Sequence, residues 1–399
     1  MRPFDGRRVL LVVSGGIAAY KSAFLARRLV EAGAAVDVIL TASAECFVGS
    51  ATFEGLTGRP VHTDLWERPM AHLELGRSAE AVVVAPATAD LVARMAIGSA
   101  DGLATATLLA CDRPVLLCPA MNTRMWDHPA TARNIETLRG FGHEIVGPDD
   151  GPLAEGESGP GRMAEPAEIL ARLGRVLEPD AGLAGHKVVV TAGPTRAPLD
   201  PVRFLCNRSS GRMGYALAGA AWRRGADVVL ISGPGHAPRP VGPRRVEVET
   251  ASEMLAALES ELTDARILLM AAAVGDFEAA SISRHKIKKE GEGAPGLDLR
   301  PAPDLLSATR ELRRRQGIFT LGFALETDAP LDNARDKLER KGLELIAVNL
   351  ATDPDAGFEV DTNRVTLLDA AGDTETFPLL RKEELADRLL DRIEESLGT

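Results

Sequence analysis

Residues 191–214 constrain the fold of this chain more than any other stretch. An apolar run, 187–190, enters a Gly193-Pro194 turn. A short loop then ends in Asn207-Arg208-Ser209-Ser210-Gly211, and a helical segment follows. A strand that feeds a glycine turn and then a helix belongs to a layered α/β architecture. Backbone N–H groups at such a helix start, with hydroxyls and an arginine beside them, form an anion site. Far downstream, Lys286-Ile287-Lys288-Lys289 concentrates positive charge. Together these features point to a nucleoside triphosphate or another phosphate ester as ligand.

At 399 residues the chain is too long for one ordinary core, so two domains are expected. With 45% hydrophobic and 26% charged residues it can bury both. A net charge of −11 argues against nonspecific binding to nucleic acid or to an anionic membrane. Anionic ligands therefore need locally basic pockets. Cys46, Cys111, Cys118 and Cys206 form no CxxC pair, and no His stands at metal-ligand spacing. That pattern argues against a disulfide framework or zinc site and fits a reducing cytoplasm. The apolar run 9–13 is stopped by Ser14-Gly15-Gly16, which does not read as a signal peptide. No long charge-free apolar segment predicts a membrane span.

Two α/β units follow one another. In the first, strands are expected at 9–13, 36–40, 81–85 and 115–118. The first helix is expected at 18–31, with Leu25 and Leu29 on one face and Lys21, Arg27 and Arg28 at polar positions. Short, continuous apolar runs between helices indicate a parallel sheet covered on both faces. The Gly- and Pro-rich stretch 147–161 reads as a loop, 165–176 as a closing helix and 178–185 as a linker. The second unit is expected to place strands at 187–190, 228–232, 267–270, 319–322 and 345–348. Its helices are expected at 211–224, 252–262 and 331–341, its last strand at 364–368 and its last helix at 382–397. Residues 281–301 read as a mobile flap.

Each candidate site has a plainer alternative. Residues 14–21 follow a strand and open a helix, which suits a phosphate. They lack the dinucleotide glycine pattern and a ribose-binding acid, however, and taken alone a plain tight turn explains them better. The loops 85–90 and 119–122 lie at carboxyl ends of strands, where doubly wound sheets bind ligands. His72 alone reads as a structural or surface residue. Lys286 and Lys288 alternate along an extended segment, either as a polyphosphate clasp or as a solvated charge run. Asp276, after the apolar run 268–274, is either a ligand for a divalent cation or an ordinary strand-end residue.

At these motifs the whole chain resembles the bifunctional phosphopantothenoylcysteine decarboxylase/phosphopantothenate–cysteine ligase family of coenzyme A biosynthesis. The stretches that carry the likeness are 15–21, 119–122, 159–163, 200–214 and 286–289. The resemblance implies an α/β protein with a flavodoxin-like parallel-sheet domain (1–178) that binds FMN. It also implies a second, Rossmann-like α/β ligase domain (186–399). Gly15, Gly16, Ile17, Ser43, Pro86 and Thr88 would hold the flavin. His72 would be the base, Asn122 would bind the substrate carboxylate, and Met121 and Arg162 would lie at the substrate. In the ligase half, the phosphopantothenate carboxylate would attack CTP to give an acyl-cytidylate, and cysteine would then form the amide. Asp276 would bind CTP with magnesium or manganese, and Lys286 would stabilise the phosphates. Ala272, Ala273, Pro303, Asp304, Leu305, Leu306, Phe323, Lys337 and Lys341 would complete the site, with Asn207 acting on the intermediate. Trimeric decarboxylase contacts and dimeric ligase contacts are implied as well.

The chain departs from the family pattern at several positions. Glu155 stands in Leu153-Ala154-Glu155-Gly156 where the family carries a proton-donating Cys. For Glu155 to donate, closure over the substrate would have to raise its pKa. The alternative is a ligase with an impaired decarboxylase. Smaller departures are Asp90 for Asn, Arg94 for Lys, Ala197 for Glu, Ala302 for Asn and Glu344 for Asp. Rival readings are a flavin decarboxylase with another substrate, a non-catalytic regulator and a NAD-dependent dehydrogenase.

Overall fold

The computed structural model describes residues 3–154, 156–178, 182–235, 237–288, 296–327, 330–353, 355 and 360–398. The chain divides into two compact units, Met1–Pro179 and Asp180–Thr399.

The first unit is a parallel sheet of β1 (Arg8–Val13), β2 (Ala35–Leu40), β3 (Val61–His62), β4 (Ala81–Ala87), β5 (Val115–Pro119) and β6 (Glu144–Ile145). Their order is β3-β2-β1-β4-β5-β6. Without the two-residue edge strand β3, this is the flavodoxin-like order. Alternation along β1 explains why every residue after Arg8 is apolar. Val9, Leu11 and Val13 enter one core, and Leu10 and Val12 enter the other. One face is covered by α1 (Ala19–Glu31), α2 (Ser50–Thr57) and α8 (Pro166–Val176). The other carries α3 (Ala71–Ser78), α4 (Ala89–Ala96), α5 (Leu103–Leu109) and α7 (Pro129–Gly140), with the short α6 (Thr123–Trp126) beside them.

Two expectations need correction here. Residues 149–162 are not an irregular loop, because β7 (Asp149–Pro152) and β8 (Ser158–Arg162) pair as an antiparallel hairpin. Its glycines hide the strand signal, since the pairing is backbone to backbone with little side-chain alternation to read. Lys21 is buried rather than at a surface position.

The second unit is built on β9 (Lys187–Ala192), β12 (Asp227–Ser232), β13 (Arg244–Glu247), β14 (Ile267–Met270), β17 (Phe319–Glu326), β18 (Leu345–Leu350), β20 (Thr366–Asp369) and β21 (Thr374–Thr376). The order is β13-β12-β9-β14-β17-β18-β20-β21, parallel as far as β18 and antiparallel beyond it. The strand expected at 364–368 is therefore not the last; a hairpin through Gly372 adds β21 at the edge. Smaller antiparallel pairs are β10 (Arg196–Pro198) with β11 (Phe204–Cys206), β15 (Phe277–Ala279) with β16 (Leu299–Pro301), and β19 (Thr362–Asn363) with β22 (Leu380–Arg381). Part of the expected flap, 299–301, is thus paired strand.

Helices α9 (Arg212–Arg223), α10 (Ala251–Glu261), α11 (Leu305–Ala308), α12 (Arg310–Gln316), α13 (Pro330–Lys341) and α14 (Lys382–Leu397) complete this unit. Local chemistry starts two of them. Thr250 and Glu253 form a capping box on α10, and the Asp304 side chain accepts from the Ser307 N–H at α11.

Candidate functional site

In the first unit the strand order reverses between β1 and β4, and the loops leaving these strands part to form a crevice. A cavity of about 1160 Å³ occupies it. Gly15, Gly16, Ile17, Ser43, Thr88, Met121, Asn122 and Arg162 all line it. A Cβ on Gly15 would lie 2.4 Å from Cβ of Ser43, so only glycine lets these loops touch. Ser14 Oγ donates to the Pro86 carbonyl (2.7 Å) and accepts from the Thr88 N–H (3.1 Å), locking the β1 and β4 loops together. Pro86 thus shapes the crevice without lining it. Thr88 caps α4, and Asn122 caps α6 by accepting from the Arg124 N–H at 2.8 Å.

The floor of the crevice is ionic. Lys21 Nζ donates to the Met163 carbonyl at 3.0 Å and to the Glu165 carboxylate at 2.9 Å, and Arg162 pairs with the same carboxylate. The Lys21 hydrogen bond holds the Glu165 carboxyl below its ordinary range, with Arg162 helping against the effect of burial. The Asp90 and Arg94 departures compensate one another as an ion pair at 3.0 Å. His72 lies on α3, half-buried, and is not among the residues lining this cavity. Glu155 lies outside the described residues.

In the second unit the order reverses between β9 and β14. A pocket of about 370 Å³ opens there, lined by the α9 start (Ser209, Ser210, Gly211, Arg212), Asn207, Ala272, Ala273, Asp276, Phe323 and Lys337. Gly211 has φ +77° and caps α9, and a Cβ there would meet Gly193 N at 3.2 Å. Asn207 donates to the Val274 carbonyl at 3.0 Å, fixing its amide against the loop after β14. Lys337 donates to the Phe323 carbonyl at 3.0 Å, and burial pushes its ammonium pKa down.

Asp304 and Lys341 form a neighbouring cluster. The Lys341 ammonium pairs with the Asp304 carboxylate and donates to Ser307 Oγ at 2.9 Å. Pro303 precedes this turn, while Leu305 and Leu306 send their side chains into the core rather than into the pocket. Lys286 and Lys288 are exposed on either side of half-buried Ile287. The Ile287 N–H donates to Asp200 at 3.0 Å and its carbonyl accepts from Arg203 at 2.8 Å, so the backbone between the lysines is clamped. Burial works against the Asp200 carboxylate, yet the N–H groups of Ile287, Val202 and Arg203 hold its carboxyl below the usual range. Lys289 lies outside the described residues.

Sequence reasoning missed Lys382 and Asn363, which line the second pocket, and Lys21 with Glu165 beneath the first. Lys382 is far from every motif that marks the pocket, so no spacing could have flagged it.

The matches to known proteins follow the same division. A family model described as "Flavoprotein" matches residues 2–177, and "DNA/pantothenate metabolism flavoprotein C-terminal domain" matches residues 183–397. Over 402 residues the chain is 42% identical to the coenzyme A biosynthesis bifunctional protein CoaBC of Vibrio cholerae, covering 100% of both chains. The chain belongs to this bifunctional coenzyme A biosynthesis family. It is also 42% identical to the Escherichia coli K12 member over 394 residues, covering 97% of each. Against the Mycobacterium tuberculosis member it is 46% identical over 404 residues, covering 97% of this chain and 96% of that one. The first unit is accordingly a flavoprotein domain. No helix among the described residues is long and apolar enough to cross a membrane.

Proposed function

We propose that the chain converts 4′-phosphopantothenate, cysteine and CTP into 4′-phosphopantetheine, using a ligase half (186–399) and a decarboxylase half (1–178). The protein is a bifunctional enzyme of coenzyme A biosynthesis with both activities. The observation that carries the detailed reading is that each unit places a ligand-sized pocket at its own switch point, within a chain matched end to end by bifunctional relatives. The ligase-only alternative draws no support from either half.

In the ligase half, the N–H groups at the α9 start and Lys286 hold the CTP phosphates. Among the described residues no three His, Cys, Asp or Glu side chains converge as a metal cage. A magnesium or manganese ion carried by the triphosphate needs only one or two protein carboxylates, and Asp276 supplies one. The phosphopantothenate carboxylate attacks the α-phosphate and pyrophosphate leaves. Asn207, held by the Val274 carbonyl, orients the acyl-cytidylate for attack by the cysteine amine. Asp304, Lys337 and Lys341 bind the nucleotide beside Phe323, with Pro303, Leu305 and Leu306 shaping the turn.

The first crevice fits FMN. Its volume is ample, the Gly15-Gly16 turn lines it at the end of a strand, and Ile17 and Met121 offer apolar walls. Gly15, Gly16, Ile17, Ser43 and Thr88 would hold FMN, which would supply reversible two-electron oxidation of the substrate thiol and so make loss of carbon dioxide from the oxidised substrate easy. Asn122 and Arg162 bind and orient the substrate, His72 accepts the thiol proton, and Glu155 donates in the reductive half. Because His72 stands away from the cavity lining, we place the flavin site at a subunit contact of a homo-oligomer. Exposed Tyr20 and Phe24 at the cavity rim supply apolar surface for such a contact. A cytoplasmic location completes this reading.

Pyrophosphate release measured with each substrate omitted in turn tests the ligase. Release should require CTP and phosphopantothenate. Release with ATP as readily as with CTP would overturn the nucleotide assignment.

A further inference from the structure

Resting on the nucleotide site proposed above, we propose that Arg313 is a positioning residue for that site: its buried guanidinium sets the spacing between the Asp304–Ser307 turn and Lys341. Arg313 is 3% exposed, on α12, and does not line the pocket at the switch point of the ligase half. Its Nη2 donates to the carbonyls of Leu306 (2.9 Å) and Lys341 (2.7 Å). Its Nη1 donates to the Gly342 carbonyl (2.9 Å) and to Thr320 Oγ1 (3.1 Å). The carbonyls of Leu306, Lys341 and Gly342 lie at the ends of α11 and α13, where helices leave acceptors unmet and where a cation is favoured.

The same two segments are also joined on the side of Lys341's own ammonium. There the ammonium pairs with Asp304 and bonds to Ser307 Oγ. The turn and the end of α13 are thus held twice, once through the Lys341 side chain and once through its backbone. A ligand that draws the ammonium towards phosphate or base must loosen the first link. The second does not use that ammonium, so Arg313 keeps the two segments in register while Lys341 changes partners. A rigid donor fork reaching three backbone carbonyls is what arginine supplies and lysine does not.

The test is a double-mutant cycle with Arg313→Met, Lys341→Met and the double variant, read as KM for CTP and KM for cysteine in the full-length enzyme. The expected result is a rise in KM for CTP of roughly 10- to 100-fold in Arg313→Met, with KM for cysteine unchanged. The double variant should be no worse than the poorer single variant, because both changes act on one arrangement. A purely structural role would lower the yield or kcat, or raise both KM values together, and that result overturns the proposal. Should Arg313→Met fail to fold, Arg313→Lys carries the test, with an intermediate KM for CTP expected and a wild-type KM contradicting it. If Lys341→Met leaves KM for CTP unchanged, the nucleotide assignment itself fails and the proposal with it. A CTP effect in Lys341→Met but not in either Arg313 variant removes only the role of Arg313.

Discussion

Lys21 and Glu165 form a partly buried ion pair, 2.9 Å long, that joins the first helix of the flavoprotein unit to its last beneath the proposed flavin crevice. Lys21 also reaches the Met163 carbonyl, so one ammonium closes the chain over the crevice floor. Lys21→Met should leave the Glu165 carboxylate with Arg162 alone and destabilise this unit by about 1–3 kcal/mol. Flavin content after purification should fall, while pyrophosphate release by the ligase unit should stay at the wild-type rate. Full flavin retention would show that this pair plays no part in shaping the crevice.

Gly15→Ala is a steric test of the same crevice. The new Cβ would lie within 2.5 Å of the Ser43 backbone carbonyl carbon, which cannot move aside cheaply. Overpacking of this kind costs about 1–3 kcal/mol, and here it would push the β1 and Ser43 loops apart. The expected outcome is a colourless protein that still ligates. A yellow protein of normal stability would mean the loops are not held as described.

Burial and the Arg212 charge lower the Lys382 pKa from 10.5 to about 8. The unfolded chain therefore binds more protons than the folded one between pH 8 and 10.5, so this residue's contribution to stability rises with pH across that window. Below pH 8 the buried charge is a standing cost. Lys382→Met should remove it, flattening the pH dependence of the denaturation midpoint between pH 8 and 10. An unchanged slope would contradict this.

Arg224, 1% exposed, meets Asp387, Asp391 and Glu394 of the C-terminal helix. Arg224→Met would strip this guanidinium from all three carboxylates, with Arg223 still paired to Asp387. Removing one side of a buried ion cluster costs about 3–5 kcal/mol, which chemical denaturation of the variant should register. A loss below about 1 kcal/mol would place this cluster with ordinary surface pairs.

Much of this architecture was legible in the sequence because its strands are short, apolar and buried on both sides. The run 9–13 and the closing helix at 382–397 need no tertiary information. The glycine hairpin at 149–162 was not legible, since backbone pairing leaves no side-chain period. The edge strand at 374–376 escaped because its residues are polar and exposed. The motif glycines led directly to both switch points. Lys382 and Arg313 did not stand out, because a buried cation is recognised only once the elements around it are assembled. His72 shows the converse: the family resemblance names it, yet within one subunit it stays off the cavity lining.

Glu155→Gln should slow formation of phosphopantetheine and let an oxidised, decarboxylated intermediate accumulate, because an amide cannot give up a proton as a carboxylic acid does. Unchanged turnover would assign the donor role to water or another group.

Whether both halves work in this one chain is decided by mass spectrometry of the products. The flavin-replete protein would be incubated with 4′-phosphopantothenate, cysteine, CTP and magnesium. Phosphopantetheine is the expected product, made without any second enzyme. Accumulation of phosphopantothenoylcysteine, with no loss of carbon dioxide, would contradict a working decarboxylase and leave a ligase alone.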